Sequence, residues 1–201
     1  VILAAGVKHR MLGLPGETEL VGSGISFCAV CDGEYYRGQT VAVAGGGNSA
    51  LQEATLLSDL CKQVVLVQDL DYFTGEKKLA EALLQRENVR AVTGTVIDSI
   101  NTTDGAIRSL SLRRKATGET GRLDCDGLFV AIGLIPENEA FKNVVALNDY
   151  GYAASGEDCE TGTPGVVVAG DCRAKQVRQI TTAVADGAVA ALAACRYIDG
   201  R

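Results

Sequence analysis

Residues 41–50 read VAVAGGGNSA, and behind them Leu51, Ala54, Leu57 and Leu60 recur at helical spacing. This stretch constrains the chain more than any other. A buried apolar strand that turns straight into a helix through three glycines needs a parallel partner strand beyond a crossover. The pattern repeats. Residues 64–67 form a second β-branched apolar run, Leu79, Ala82 and Leu83 mark a second helix, and residues 89–92 a third strand. Such alternation predicts right-handed crossovers and a parallel sheet. The rhythm then changes. Residues 95–100, 107–113 and a weaker segment near Leu123 are separated by TTDG and ATGETG, turn compositions that predict an antiparallel meander. Residues 128–132 return to the buried parallel type. After IGLIPEN the chain is loop-rich to residue 163, followed by an apolar strand at 166–169, the loop GDC and an alanine-rich helix over 179–198. There are no internal repeats.

At 201 residues, 47% hydrophobic and 22% charged, the composition fits one or two small globular cores and argues against disorder. A net charge of -6 and a pI near 4.9 leave no basic footprint for a phosphate backbone, which sets nucleic acid aside. No apolar run approaches the roughly 20 residues of a bilayer span, and no leader pattern precedes a cleavage-like site. The expectation is therefore no membrane partner and a soluble, cytoplasmic protein. Seven cysteines, odd in number and dispersed, do not form a secreted disulfide framework. The opening VILAAG is a buried-strand pattern with no initiator methionine, which predicts a fragment beginning within a fold.

Gly45-x-Gly47-x-x-Ala50 follows a strand and opens a helix, the context in which this pattern marks a dinucleotide site. The first glycine permits the tight turn, the second lets the backbone approach a pyrophosphate, and small Ala50 lets helix and strand pack closely. The free N–H groups of Asn48, Ser49 and their neighbours at the helix start would hold the phosphates. The alternative is a ligand-free glycine turn. Asp69, just past the second strand, sits where an acidic side chain takes the ribose hydroxyls of NADH, or is an exposed loop aspartate without a role.

Cys28-Ala29-Val30-Cys31, followed by Asp32, is a redox disulfide, a structural disulfide or half a zinc site. Zinc wants a second close ligand pair, and the chain has a single histidine, His9, and no other CxxC, so no metal site is expected. A structural bridge over two residues constrains little of the unfolded chain. A redox pair fits better: one thiolate attacks, the other resolves, and Asp32 passes protons, unless it merely caps a helix. Hydride from a nucleotide leaves as a dithiol through a bridging flavin.

CAVCDG with GGGNSALQEA soon after, LFVAIGLIPEN, and GVVVAGDCRAKQVRQITTAVADGAVAA together resemble the low-molecular-weight thioredoxin reductases, in order and over nearly the whole chain. The resemblance implies a flavoprotein homodimer with an FAD domain and an inserted NAD(P)H domain that carries the CxxC and rotates between two arrangements. One brings nicotinamide to the flavin and the other presents the thiols to thioredoxin. It implies an α/β fold: a Rossmann-like three-layer nucleotide-binding domain with an antiparallel meander at 12–134, and parts of a second, similar FAD domain at 1–11 and 135–201. Cys28 and Cys31 resemble the redox pair, with Cys31 nearer the isoalloxazine, and Asp32 the proton-handling acid. Gly170-Asp171 resembles the motif whose aspartate binds the ribityl chain, although Asp171 alone would read as a cap or turn residue. Arg178, Gln179 and Ile180 resemble flavin-edge contacts.

Two departures stand out. The first half of the family's FAD domain, with its own glycine-rich loop, is not in this chain. In addition, NADPH-using members carry HRRxxxR after the second strand of the inserted domain, where arginines clamp the 2'-phosphate. Residues 68–74 here read QDLDYFT, and two aspartates repel a phosphate by about 1 kcal/mol or more each at short range. Lys77 and Lys78 compensate in part or form a solvated helix face. The expectation is NADH over NADPH, or ferredoxin as donor, with thioredoxin or a similar thiol protein as acceptor. The alternatives are another thiol partner, a dithiol oxidase, or a nucleotide-binding fragment without turnover. Cys61, Cys125, Cys159, Cys172 and Cys195 read as small buried residues or idle surface thiols, with Cys172 next to the flavin loop. His9 reads as a surface or linker residue, and Leu12, Leu14, Leu20 and Val21 as packing for an interdomain hinge.

Overall fold

The computed structural model describes residues 1–200. Its strands are β1 Ile2–Leu3, β2 Val7–His9, β3 Ile25–Ser26, β4 Thr40–Ala44, β5 Gln63–Val67, β6 Val89–Val92, β7 Thr95–Thr103, β8 Ala106–Arg114, β9 Thr120–Asp124, β10 Gly127–Val130, β11 Leu134–Pro136 and β12 Val167–Val168. The helices are α1 Ala29–Asp32, α2 Asn48–Leu60, α3 Lys77–Leu84 and α4 Ile180–Ile198. The chain folds as two units, Arg10–Gly133 and a second made of Val1–His9 with the residues from Leu134 onward.

In the larger unit β3, β10, β4, β5 and β6 form a parallel sheet in that spatial order, with Val41 opposite Val64 and Ala44 opposite Val67. Alternation along each strand sorts the side chains into two cores. Val41, Val43, Val64, Leu66 and Phe129 pack with Leu51, Ala54 and Leu57 of α2 and Ala80 and Leu83 of α3. On the other face, Ala42, Ala44, Val65, Val67, Leu128 and Val130 meet Ile97, Ile107, Leu110, Leu112 and Leu123 of the meander β7–β8–β9. The result is three layers, helices over parallel sheet over antiparallel sheet, as the α/β alternation followed by turn-separated strands predicts. Leu57 is fully buried, and its truncation to alanine would cost about 2–5 kcal/mol.

Leu12, Leu14 and Leu20 differ from their reading as hinge packing. Leu20 lies in the core with Ile25 and Ile107, and Leu12 and Leu14 pack on that same cluster, because the second sheet face had apolar surface for them to cover. Val21 is substantially exposed.

In the smaller unit β1 pairs in parallel with β12, Leu3 opposite Val168, and Ala190 and Ala193 of α4 pack with Val167 and Ala169. The alanines let the helix lie close to the short strands. β2 and β11 form an antiparallel ribbon, Lys8 opposite Ile135, that alternation in the sequence did not announce. Among the described residues no helix is long and apolar enough to cross a membrane.

Candidate functional site

Strand β3 ends at Ser26, and the chain turns through Phe27 into the single turn of α1, with Cys28 as its N-cap. Cys28 and Cys31 are joined as a disulfide, their Cα atoms 5.3 Å apart. The Cys31 N–H is shared between the Cys28 carbonyl at 3.1 Å and the Cys28 sulfur at 3.2 Å, which places that sulfur against the first turn of the helix. Cys31 is exposed and Cys28 half-buried. Asp32 closes the turn, and its Oδ2 accepts a hydrogen bond from the Ser26 hydroxyl at 2.6 Å. The same hydroxyl accepts from the Cys28 N–H at 3.1 Å. Ser26, buried in the sheet edge, therefore ties the acid to the thiol pair. It escaped the sequence reading, and the one available signal was a small polar residue between Ile25 and Phe27 just ahead of the cysteines. Beneath the turn, Tyr36 packs edge-on against Phe129 at 5.3 Å, and burial, with Asp32 nearby, pushes its phenol up.

The other cysteines have different surroundings. Cys61, Cys125, Cys159 and Cys172 are buried, and Cys195 is exposed. Burial pushes the Cys61 thiol up to about 11 and the Cys125 thiol up to about 12, which suppresses thiolate at neutral pH. Among the described residues no cluster of His, Cys, Asp and Glu could hold a metal ion.

The glycine turn joins β4 to α2, and its three glycines differ in what they require. Gly45 has φ +127°, and a Cβ there would meet the Ala131 carbonyl oxygen at 2.4 Å, so the turn itself demands glycine. A Cβ on Gly46 would meet the buried Gln68 side chain at 2.5 Å. At Gly47, the N-cap of α2, it would find only Thr74 Oγ1 at 3.6 Å, an ordinary contact. No neighbour in the chain explains the third glycine, and a phosphate approaching the backbone would. The open N-terminus of α2 there fits a dinucleotide pyrophosphate. Asn48 accepts from the Glu76 N–H at 2.7 Å and so fastens the following loop over the turn, while Ser49 is exposed and Ala50 buried against the sheet.

Beside this turn, at the carboxyl ends of β4 and β5 where ligands of open parallel sheets bind, lies a cleft of about 460 Å³ lined by Gly45, Gln68, Asp69, Thr95 and Ile132. Asp69 is exposed and pairs with Lys115 at 3.4 Å, a partner the sequence reading did not foresee because it comes from the turn between β8 and β9. Lys77 pairs with Glu81 at 3.7 Å on the outer face of α3.

In the smaller unit Gly170 takes φ +80° and leads into Asp171, whose Oδ1 is buried without a hydrogen-bond partner, the Lys175 ammonium standing off at 4.0 Å. A buried acceptor with no donor at hydrogen-bond distance fits a ligand hydroxyl, as a ribityl chain would present. Arg178 stacks 4.0 Å above the Tyr152 ring and donates to the Asp171 and Arg173 carbonyls, which fixes this loop. Gln179 is the N-cap of α4 in a reciprocal capping box with Thr182, and Ile180 beside it is 83% exposed. Behind the loop, buried Asp186 accepts from Arg173 Nε and Nη2 at 2.8 Å, from Lys175 at 2.9 Å and from the Gly170 N–H at 3.0 Å. The Arg173 bonds, aided by Lys175 and opposed by burial, hold its carboxyl well below the usual range. This cluster also escaped the sequence reading, which had no basis for pairing residues that meet only through the fold.

The profile of the pyridine nucleotide-disulphide oxidoreductases matches residues 1–187. The chain belongs to this family. It is 38% identical over 201 residues to the "34.2 kDa protein in rubredoxin operon" of Clostridium pasteurianum, covering 100% of this chain and 65% of that protein. It is 38% identical over 199 residues to a thioredoxin reductase of Treponema pallidum, covering 99% and 64%. The crystal structure of thioredoxin reductase from Streptococcus pyogenes superposes with a TM-score of 0.87 at 33% identity, over 100% of this chain and 66% of that one. The chain thus spans about two thirds of the length of these relatives.

Proposed function

We propose that this chain carries the redox-active part of a thioredoxin-reductase-like flavoprotein, which passes electrons from a donor through FAD to the Cys28–Cys31 disulfide and on to thioredoxin or a similar protein disulfide. The observation that carries the reading is the closed, partly exposed cysteine pair with an acid fastened beside it, in a chain of this family. Residues 12–134 are the pyridine-nucleotide domain, and residues 1–11 and 135–201 belong to the FAD domain. The working enzyme is a cytoplasmic homodimer.

Asp171, on the loop held by Arg178, would take the ribityl chain, and Gln179 and Ile180 at the start of α4 would meet the flavin edge. Bound FAD accepts two electrons from a pyridine nucleotide and delivers them to a disulfide. Gly45, Gly47, Asn48, Ser49 and Ala50 would hold the nucleotide's pyrophosphate at the α2 N-terminus, and Asp69 would accept from the ribose hydroxyls. With Asp69 in that position a 2'-phosphate would meet a carboxylate that Lys115, 3.4 Å away, only partly offsets, so NADH is favoured over NADPH, with ferredoxin as the other candidate donor. Cys28 attacks the partner disulfide, Cys31 resolves, and Asp32 exchanges protons with the sulfurs.

The test is reduction of thioredoxin by the FAD-supplemented chain with NADH, NADPH or reduced ferredoxin, beside its Cys28→Ser variant. Turnover that the serine variant retains would refute the reading, and faster flavin reduction by NADPH would refute the nucleotide assignment. A chain that binds NADH but no FAD would instead be a nucleotide-binding module.

A further inference from the structure

Ser26 closes the short edge strand β3, held against β10 with Ser26 opposite Phe129, and its side chain is buried. Packing alone would accept alanine there. The hydroxyl instead makes two directed bonds to one loop: it accepts from the Cys28 N–H at 3.1 Å and donates to Asp32 Oδ2 at 2.6 Å. The Cys28 carbonyl lies farther, at 3.4 Å, so the single hydroxyl hydrogen serves the carboxylate. A length of 2.6 Å falls in the range of a bond to an ionised acceptor. The anchor belongs to a sheet, whereas both groups it holds belong to the turn that opens and closes with the disulfide.

We propose that Ser26 is the positioning residue for proton transfer at this centre, fixing Asp32 so that its other oxygen exchanges protons with the sulfurs. This rests on the reading of Cys28–Cys31 as a redox pair. When dithiothreitol reduces the centre, its thiolate attacks the exposed Cys31 sulfur, the S–S bond breaks and the Cys28 sulfur departs as a thiolate. The reductant's second thiol then displaces the Cys31 sulfur and closes its own disulfide. Two electrons pass from the reductant, and the protons of its two thiols end, by way of solvent, on Cys28 and Cys31. Asp32, a carboxylate at rest, takes one of these protons from water and passes it to the departing Cys28 sulfur, returning to the carboxylate.

The experiment needs neither flavin nor nucleotide: rapid-quench reduction of the oxidised chain by dithiothreitol, followed by alkylation and mass analysis of Cys28 and Cys31. It compares the parent with Ser26→Ala, Ser26→Thr, Asp32→Asn and the double variant Ser26→Ala with Asp32→Asn, each checked for an unchanged melting profile. Loss of a positioned acid costs on the order of a hundredfold, so Asp32→Asn falls by about that factor and Ser26→Ala by about tenfold. Ser26→Thr, which keeps the hydroxyl, restores the rate. Ser26→Ala adds no further loss on the Asp32→Asn background, since a residue acting through another has nothing left to act on. A parental rate in Ser26→Ala, a slow Ser26→Thr, or equal Ser26→Ala losses with and without the carboxylate would overturn the inference while leaving the redox reading intact. A parent disulfide that dithiothreitol does not open would overturn both.

Discussion

Replacing Asp186 with alanine removes one carboxylate from a place where three groups depend on it. Arg173, Lys175 and Asp186 have side chains 3%, 5% and 8% exposed, so neither cation can recover its hydration without the loop opening. Three charge-assisted bonds and the Gly170 N–H acceptor vanish together. Breaking a buried ion pair by deleting one partner costs about 3–5 kcal/mol, and since Arg173 keeps exposed Glu157 at 3.5 Å and Lys175 keeps Asp171 at 4.0 Å, both longer contacts than those to Asp186, the lower end of about 3 kcal/mol applies. For a chain of this length that lowers the melting midpoint by roughly 6–12 °C. The sign with pH follows from the depressed folded-state carboxyl: the stabilisation is complete above the unfolded value of about 3.9 and is lost as pH falls through the folded value. Parent and variant should therefore differ fully at pH 7 and converge only in strong acid. Cys159 and Cys172, both fully buried in the same unit, give a local readout through their rate of thiol labelling during a thermal or urea ramp. A variant that melts within about 2 °C of the parent at pH 7, with no earlier labelling, would show that Glu157 and Asp171 suffice to hold the two cations and would refute the reasoning.

Two glycine substitutions should separate folding from binding. Gly45→Ala strains a φ of +127° and drives a methyl into the Ala131 carbonyl, so it should lower the melting midpoint by several degrees. Gly47→Ala meets only Thr74, so it should leave stability within about 0.5 kcal/mol and instead weaken NADH binding in a fluorescence titration by about tenfold. Equal effects of the two on stability would argue that Gly47 is structural. Glu53, whose Oε2 is buried without a partner, has its carboxyl pushed by burial up to about 7. Its raised folded value makes the fold pay a penalty that is absent below about 4.5 and complete above about 7. Glu53→Gln should therefore raise the urea midpoint more at pH 8 than at pH 5, and a pH-independent difference would contradict that.

Local pattern carried the larger unit. A strand running into glycines and a helix, repeated once, determines a parallel sheet, and the turn-rich spacing after residue 95 determines a meander. The same alternation could not reveal β3, a two-residue strand held by its distant neighbour β10. It also could not reveal the β2–β11 ribbon, because its halves lie far apart in sequence and neither alternates clearly. At the site, spacing exposed Cys28, Cys31 and the glycine turn, whose chemistry depends on contiguous residues. Ser26, Lys115 and Asp186 act through partners brought close by folding, so one sequence alone carries no sign of them.

The larger unit's first residue donates its N–H to the carbonyl of its last, Arg10 to Gly133, at 3.0 Å. A polypeptide whose two ends already touch can be excised, sealed by a very short joint and reopened elsewhere with little entropic cost. The sulfur pair and the glycine turn would travel together as one cassette, transplantable between hosts without redesign of either.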